Sequence, residues 1–209
     1  MNEILFWVAA LLLVTIGWRV VRTFLAFVLA GPISQQALAA QPDTIRLEPG
    51  NESEWLDAAA LGRTTREIEA LGFTDAGCFS VREMPGVRVR LLANGAENTY
   101  AAIYEHAQAG SWFEFACRYT DGSSACFSTL LATGLDPKPG SVMVHAPGTS
   151  APDLWSRALR ERPARTLQPV SARNAAADFE RSYAESVAWR KQAGLSRMEV
   201  VRAGNRKAA

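Results

Sequence analysis

The chain offers little that nucleic acid, phosphate or a metal ion would hold. Its 209 residues set 22 Lys and Arg against 21 Asp and Glu, for a net charge of +1. No basic block occurs, which argues against nucleic-acid binding. The three cysteines, Cys78, Cys117 and Cys126, are too few and too scattered for a disulfide framework, and no Cys-x-x-Cys is present. Phosphate loops, dinucleotide fingerprints and His-x-x-x-His pairs are also missing, so no cofactor is expected. Internal repeats and low-complexity tracts are absent. What remains is 48% hydrophobic and 21% charged, a globular composition.

The N-terminus is the least globular part. Ile4 to Trp18 is apolar but for Thr15 and Gly17, Arg19 and Arg22 follow, and Thr23 to Ile33 is apolar again. A spanning helix needs about 20 apolar residues. Residues 4–22 reach that if both arginines snorkel to the interface. Trp7 and Trp18 suit the headgroup belts, and 23–30 continues as an interfacial helix. The lipid bilayer is thus the expected partner of residues 4–30, within an anchor over 1–33. Arginines on the C-terminal side place the following domain in the cytoplasm of a bacterial inner-membrane protein. A second reading makes this a secretory signal cleaved near Ala39, which delivers the domain to the periplasm or beyond. Residues 34–50 read as a linker, 51–203 as one α+β domain and 204–209 as a frayed tail.

The domain centres on Phe113–Phe127, where Asp121-Gly122 between alternating apolar runs predicts a type I′ hairpin. A two-residue loop there sets Cys117 opposite Cys126 at a non-hydrogen-bonded pair, about 4.5 Å apart. That separation admits a disulfide if the domain lies outside the cytoplasm. Reduced, buried thiols are the other reading. Upstream, Cys78–Glu83, Val87–Ala93 and Asn98–His106 add strands, registered as Val81 with Val89, Leu91 with Tyr100 and Ala102 with Phe115. One apolar face then runs through Phe79/Val81, Val87/Val89/Leu91, Tyr100/Ala102/Tyr104, Phe113/Phe115/Cys117 and Cys126/Leu130. The expectation is an antiparallel meander of five strands, with Ser141–Ala146 as a sixth at the edge and helices on at least one face. Thr64-x-x-Glu67, Ser150-x-x-Asp153, Ser171 and Ser196-x-x-Glu199 mark helix starts; Gly72 and Gly194 mark ends.

In this register Arg88, Arg90, Glu105, Trp112, Glu114 and Arg118 share the second sheet face. Such a face suits an anionic ligand or a partner's carboxylates; the plainer reading is a solvated face with cross-strand ion pairs. The best-supported function is a non-enzymatic, membrane-anchored module that binds a membrane or cytosolic protein or a small ligand. The first alternative is a hydrolase-like enzyme using Glu105 with His106, or His145. The second is an accessory subunit of a membrane complex, with an exposed apolar patch at Trp55, Trp155 or Trp189. The layout Leu71-Gly72-Phe73, Gly77-x-Phe79, Ala101–Tyr104, Phe115 to Asp121-Gly122 and Thr129 resembles a broad set of bacterial proteins with one membrane segment and a soluble Asp-Gly hairpin domain. The resemblance covers about residues 65–160. It implies a bacterial membrane-associated protein and supplies no activity.

Overall fold

The computed structural model describes residues 38–196, 198–200 and 202. The apolar run 4–30 lies outside them, and among the described residues no helix is long and apolar enough to cross a membrane. The chain divides into two compact units. The larger is Pro42–Ala132 with Pro137–Gln192; the smaller takes in Thr133–Asp136 and the residues flanking the larger. Within the smaller, Ser196 and Glu199 form the expected reciprocal cap: Ser196 N donates to Glu199 Oε2 (2.8 Å) and Glu199 N donates to Ser196 Oγ (3.2 Å).

The larger unit contains β1 (Leu47–Pro49), α1 (Ala58–Glu69), β2 (Thr74–Val81), β3 (Val87–Asn94), β4 (Thr99–His106), β5 (Gly110–Arg118), β6 (Ser124–Ser128), β7 (Val142–His145), α2 (Ala151–Glu161) and α3 (Ala175–Ala193). The strands lie side by side in chain order. The α+β class stands, with a mainly antiparallel sheet of seven strands rather than five or six. β1 arises inside the stretch read as linker, where Ile45 is buried at 3% exposure. β7 runs parallel to β6, because the chain crosses back through the Asp136–Gly140 loop before pairing Ala125 with Val142.

α1 begins six residues before Thr64, because the Asp57 carboxylate accepts from Ala60 N (2.8 Å) and caps it there. Gly62 sits inside the helix and does not break it. Gly72 takes the left-handed conformation (φ 88°) that ends the turn after α1, and Phe73 packs inward. α2 opens as read, with Ser150 at the cap and Pro152 in the first turn.

The register differs from expectation, and loop length is the reason. The central hairpin has a three-residue loop, Thr120–Gly122: Tyr119 N donates to Ser123 O (2.9 Å) and Gly122 N to Tyr119 O (3.0 Å). Gly122 has φ 81°, whereas Asp121 does not adopt positive φ, so a type I turn closed by a left-handed glycine replaces type I′. The pairing slips by one residue. Cys117 opposes Ala125 and Cys126 opposes Ala116, so the two thiols project from opposite faces and are free. The conditional Cys117–Cys126 bridge is not made, and both thiols are buried and free. A second odd slip separates β4 from β5, where Ile103 opposes Phe113 and Tyr104 opposes Trp112. The β2–β3 and β3–β4 pairings are displaced by two residues, which leaves faces unchanged.

The expected single apolar face is therefore two half-faces. Under α1 and α2 lie Leu92, Ala101, Ile103, Phe115, Cys117 and Phe127, with Phe73 and Trp155 packed on Phe115 at ring separations of 5.3 and 5.2 Å. Under α3 lie Val81, Val89, Leu91 and Ala102, with Phe179 and Tyr183 from the helix. Trp55 and Trp155, at 6% and 7% exposure, belong to the first core and form no surface patch; Trp189 is half-buried, with Arg190 over its ring at 4.4 Å.

Thr65 faces the first core from α1 at 4% exposure, and its Oγ1 has no hydrogen-bond partner. An orphan buried hydroxyl costs about 1–3 kcal/mol. Thr65→Val keeps the branched shape and removes the hydroxyl, so it should raise unfolding stability by about 1 kcal/mol, read as a higher urea midpoint at unchanged slope.

Candidate functional site

The six residues expected on one face divide between two. Arg88, Arg90 and Glu105 lie under α1, because Arg88 opposes Glu105 and Arg90 opposes Ile103. Trp112, Glu114 and Arg118 lie under α3, in the rank that holds Tyr104. The single arginine-rich binding face does not form, and the odd slip between β4 and β5 is its physical cause.

Each half is engaged internally. Arg90, 8% exposed, grips Asp75 through Nε (3.0 Å) and Nη2 (2.9 Å) and also pairs with Glu52. Burial works against its charge, but the hydrogen bonds it donates to Asp75 and then Glu52 more than offset that and raise its pKa. Glu105, 2% exposed, accepts from the N–H groups of Leu56 (2.8 Å) and Asp57 (3.2 Å), with Arg88 at 3.6 Å. It thus holds the entry to α1. Arg118 reaches Ser182 on α3 (2.8 Å) and pairs there with Glu185.

Glu114 is the centre of the other half. Tyr104 Oη donates to Glu114 Oε1 at 2.7 Å, while its ring stacks on Trp112 at 4.9 Å. Ser128 stands directly across from Glu114, and His145 directly beyond Ser128. The Cys126 thiol and the Ser128 hydroxyl favour the charged form of the carboxylate. Burial nonetheless dominates and raises the Glu114 pKa above its ordinary value. Burial, and then the charge of Glu114, likewise push the Tyr104 and Cys126 pKa values up, so neither is poised as a nucleophile.

Both histidines serve the backbone. His106 Nδ1 accepts from Gln108 N and Ala109 N (3.2 Å each) and shapes the β4–β5 turn. His145 Nδ1 lies 2.9 Å from Leu130 O; a carbonyl only accepts, so Nδ1 carries the proton. Ser128, between Glu114 and His145, is 1% exposed and out of a substrate's reach. Among the described residues, no group of three or more His, Cys, Asp and Glu is placed to hold a metal ion.

An open groove of roughly 320 Å³ lies where β4 ends and β5 begins. Ile103, Trp112, Phe113, Thr129 and Gly148 line it, together with the hydroxyl-bearing Thr64, Ser111 and Thr149. Thr129 Oγ1 is already bonded to the backbone of Phe113, accepting from N (3.0 Å) and donating to O (3.1 Å). The hydroxyls of Thr64, Ser111 and Thr149 take part in no hydrogen bond among the described residues. No charged side chain lines the groove. Of these residues only Trp112 was read from the sequence as part of a binding face; Thr64 was read as a helix start, Phe113 as core and Thr129 as part of the hairpin layout. α1 and the loop before α2 bring them together.

No protein-family model, curated protein or solved structure matches the chain.

Glu114 gives a pH test. Its folded pKa is raised, so its favourable contribution is full below the ordinary carboxylate range (4.5) and is lost as pH rises through the folded value. Glu114→Gln keeps an acceptor for Tyr104 without a charge. Its urea midpoint should exceed that of the parent at pH 7, and the gap should close on acidification below pH about 4.

Proposed function

We propose that this chain is a membrane-anchored binding module, with residues 4–30 in the bilayer and the larger unit presenting the groove to a small uncharged ligand or a partner's side chains. The observation that carries the reading is a contrast. Glu105, His106 and His145 are committed to backbone groups, whereas the hydroxyls of Thr64, Ser111 and Thr149 are uncommitted and converge on an open groove. Hydroxyls donate and accept, and aromatic walls exclude water from a ligand's apolar edge. The apolar run and its arginines support an inner-membrane anchor with the domain on the cytoplasmic side. The resemblance to bacterial single-segment membrane proteins points the same way.

Ligand-observed NMR on the full chain in detergent micelles, with a panel of uncharged hydroxylated fragments, tests the groove. Fragments should bind the parent, and Thr64→Trp, which fills the groove, should abolish binding with an unchanged melting temperature. Binding that survives Thr64→Trp places the ligand elsewhere. Turnover of a simple ester that disappears in His145→Ala would move the reading to the enzyme. Protease treatment of spheroplasts, with intact mass of the recovered chain, tests orientation: a protected, full-length chain is expected, and a mass starting near Ala40 replaces the anchor with a cleaved signal.

A further inference from the structure

Exposed apolar side chains in the larger unit are unevenly placed. Leu131 and Leu56 are the most exposed of its large hydrophobics, at 72% and 71%; Met143 and Leu159 follow at 42% and 39%. Both leucines lie at one end of the sheet. Leu56 is held there because its N–H donates to Glu105, next to last in β4. Leu131 is held there because Thr129, two residues earlier, closes on Phe113 near the start of β5 (N to O, 2.9 Å). β4 and β6 are separated by β5, so the two anchoring points lie two strand spacings, about 10 Å, apart. The groove opens at this same end, where β4 ends and β5 begins.

The chain enters the unit at the same end. Arg46 O accepts from Arg82 N (3.0 Å) and Arg46 N donates to Glu83 Oε2 (2.7 Å), just past the end of β2. Charges there are largely paired: Arg82 with Glu48 at 3.7 Å, Arg88 with Glu105 at 3.6 Å and Lys191 with Asp43 at 2.7 Å. That leaves no strong basic patch for anionic headgroups.

We propose that this end of the sheet docks on the bilayer interface, with Leu56 and Leu131 inserted at the headgroup–acyl boundary. The proposal rests on the anchor reading and adds to it. A tether alone leaves the domain free above the membrane; docking fixes which end faces down and turns the groove toward the lipid. Insertion is apolar, so it needs no anionic lipid and resists salt.

The test uses the full chain in phosphatidylcholine vesicles. Single cysteines at Leu56→Cys, Leu131→Cys and Leu159→Cys, each in a Cys78→Ser background, carry an environment-sensitive NBD label; Cys117 and Cys126 are buried at 3% and 8% exposure. Flotation with the vesicles is scored in parallel. Docking predicts blue-shifted NBD at 56 and 131, quenched by nitroxide-bearing lipid and unchanged in high salt, with water-like emission at 159. A chain that floats but shows water-like emission at 56 and 131 overturns docking and leaves the anchor standing. A shift without nitroxide quenching means that protein, not lipid, covers the end, and also overturns docking. Equal quenching at 159 denotes unspecific adsorption and does the same. A chain that does not float overturns anchor and docking together.

Discussion

Side chains alternate along a strand, so a turn that gains or loses one residue moves every later side chain to the other face of the sheet. Two three-residue turns hold that parity here. At 107–109 the loop is gathered by His106 Nδ1, which accepts from two N–H groups. At Thr120–Gly122 it is gathered by Asp121, whose Oδ1 accepts from Ser123 N (2.9 Å) and Oγ (2.6 Å). Those bonds, the Ser123 hydroxyl foremost, also hold the Asp121 carboxyl below its ordinary pKa. From these two turns follow the burial of Phe113, Phe115 and Cys117 under α1 and α2 and the placement of Glu114 under α3.

The same parity explains what the residues foretold and what they did not. Helix starts and stops at Ser150, Gly72 and Gly194 were legible, because capping is a local interaction between near neighbours. Strand existence was legible because alternation is local too. Face assignment across strands was not: Asp121-Gly122 is compatible with a two- or a three-residue loop, and the choice is made by a distant segment. Thr120 N donates to Thr166 O (3.0 Å), Gln168 N donates to Arg118 O (2.8 Å), and Leu167 bridges Tyr119. That strap lies more than 40 residues away, and no propensity at the turn encodes it. The groove was illegible for a related reason, since its hydroxyls come from α1, β5 and the loop before α2.

Polar burial follows one rule on both faces. Arg90, Glu105 and Glu114 sit where a sheet interior would otherwise be apolar, and each is answered from a different element: Asp75 and Glu52 for Arg90, the α1 entry for Glu105, and Tyr104 with Cys126 and Ser128 for Glu114. Removing one member of such a set leaves the other buried and unpaired, a large penalty, whereas the intact pair adds little net stability over apolar packing. These sets bind particular elements to particular strands. Arg118 does so for α3, through Ser182 and Glu185.

The two ends of the larger unit meet. Tyr183 Oη donates to Pro42 O at 3.1 Å, and Lys191 Nζ lies 2.7 Å from Asp43 Oδ1. In mechanical terms this is a short circuit. Tension applied between residue 43 and residue 191 passes through one ion pair and the C-terminal turns of α3, not along the seven strands. Under load α3 would peel from its last turn backwards, uncovering Tyr183 and then Phe179 before any strand is sheared. The sheet and its groove stay intact while the α3 face opens.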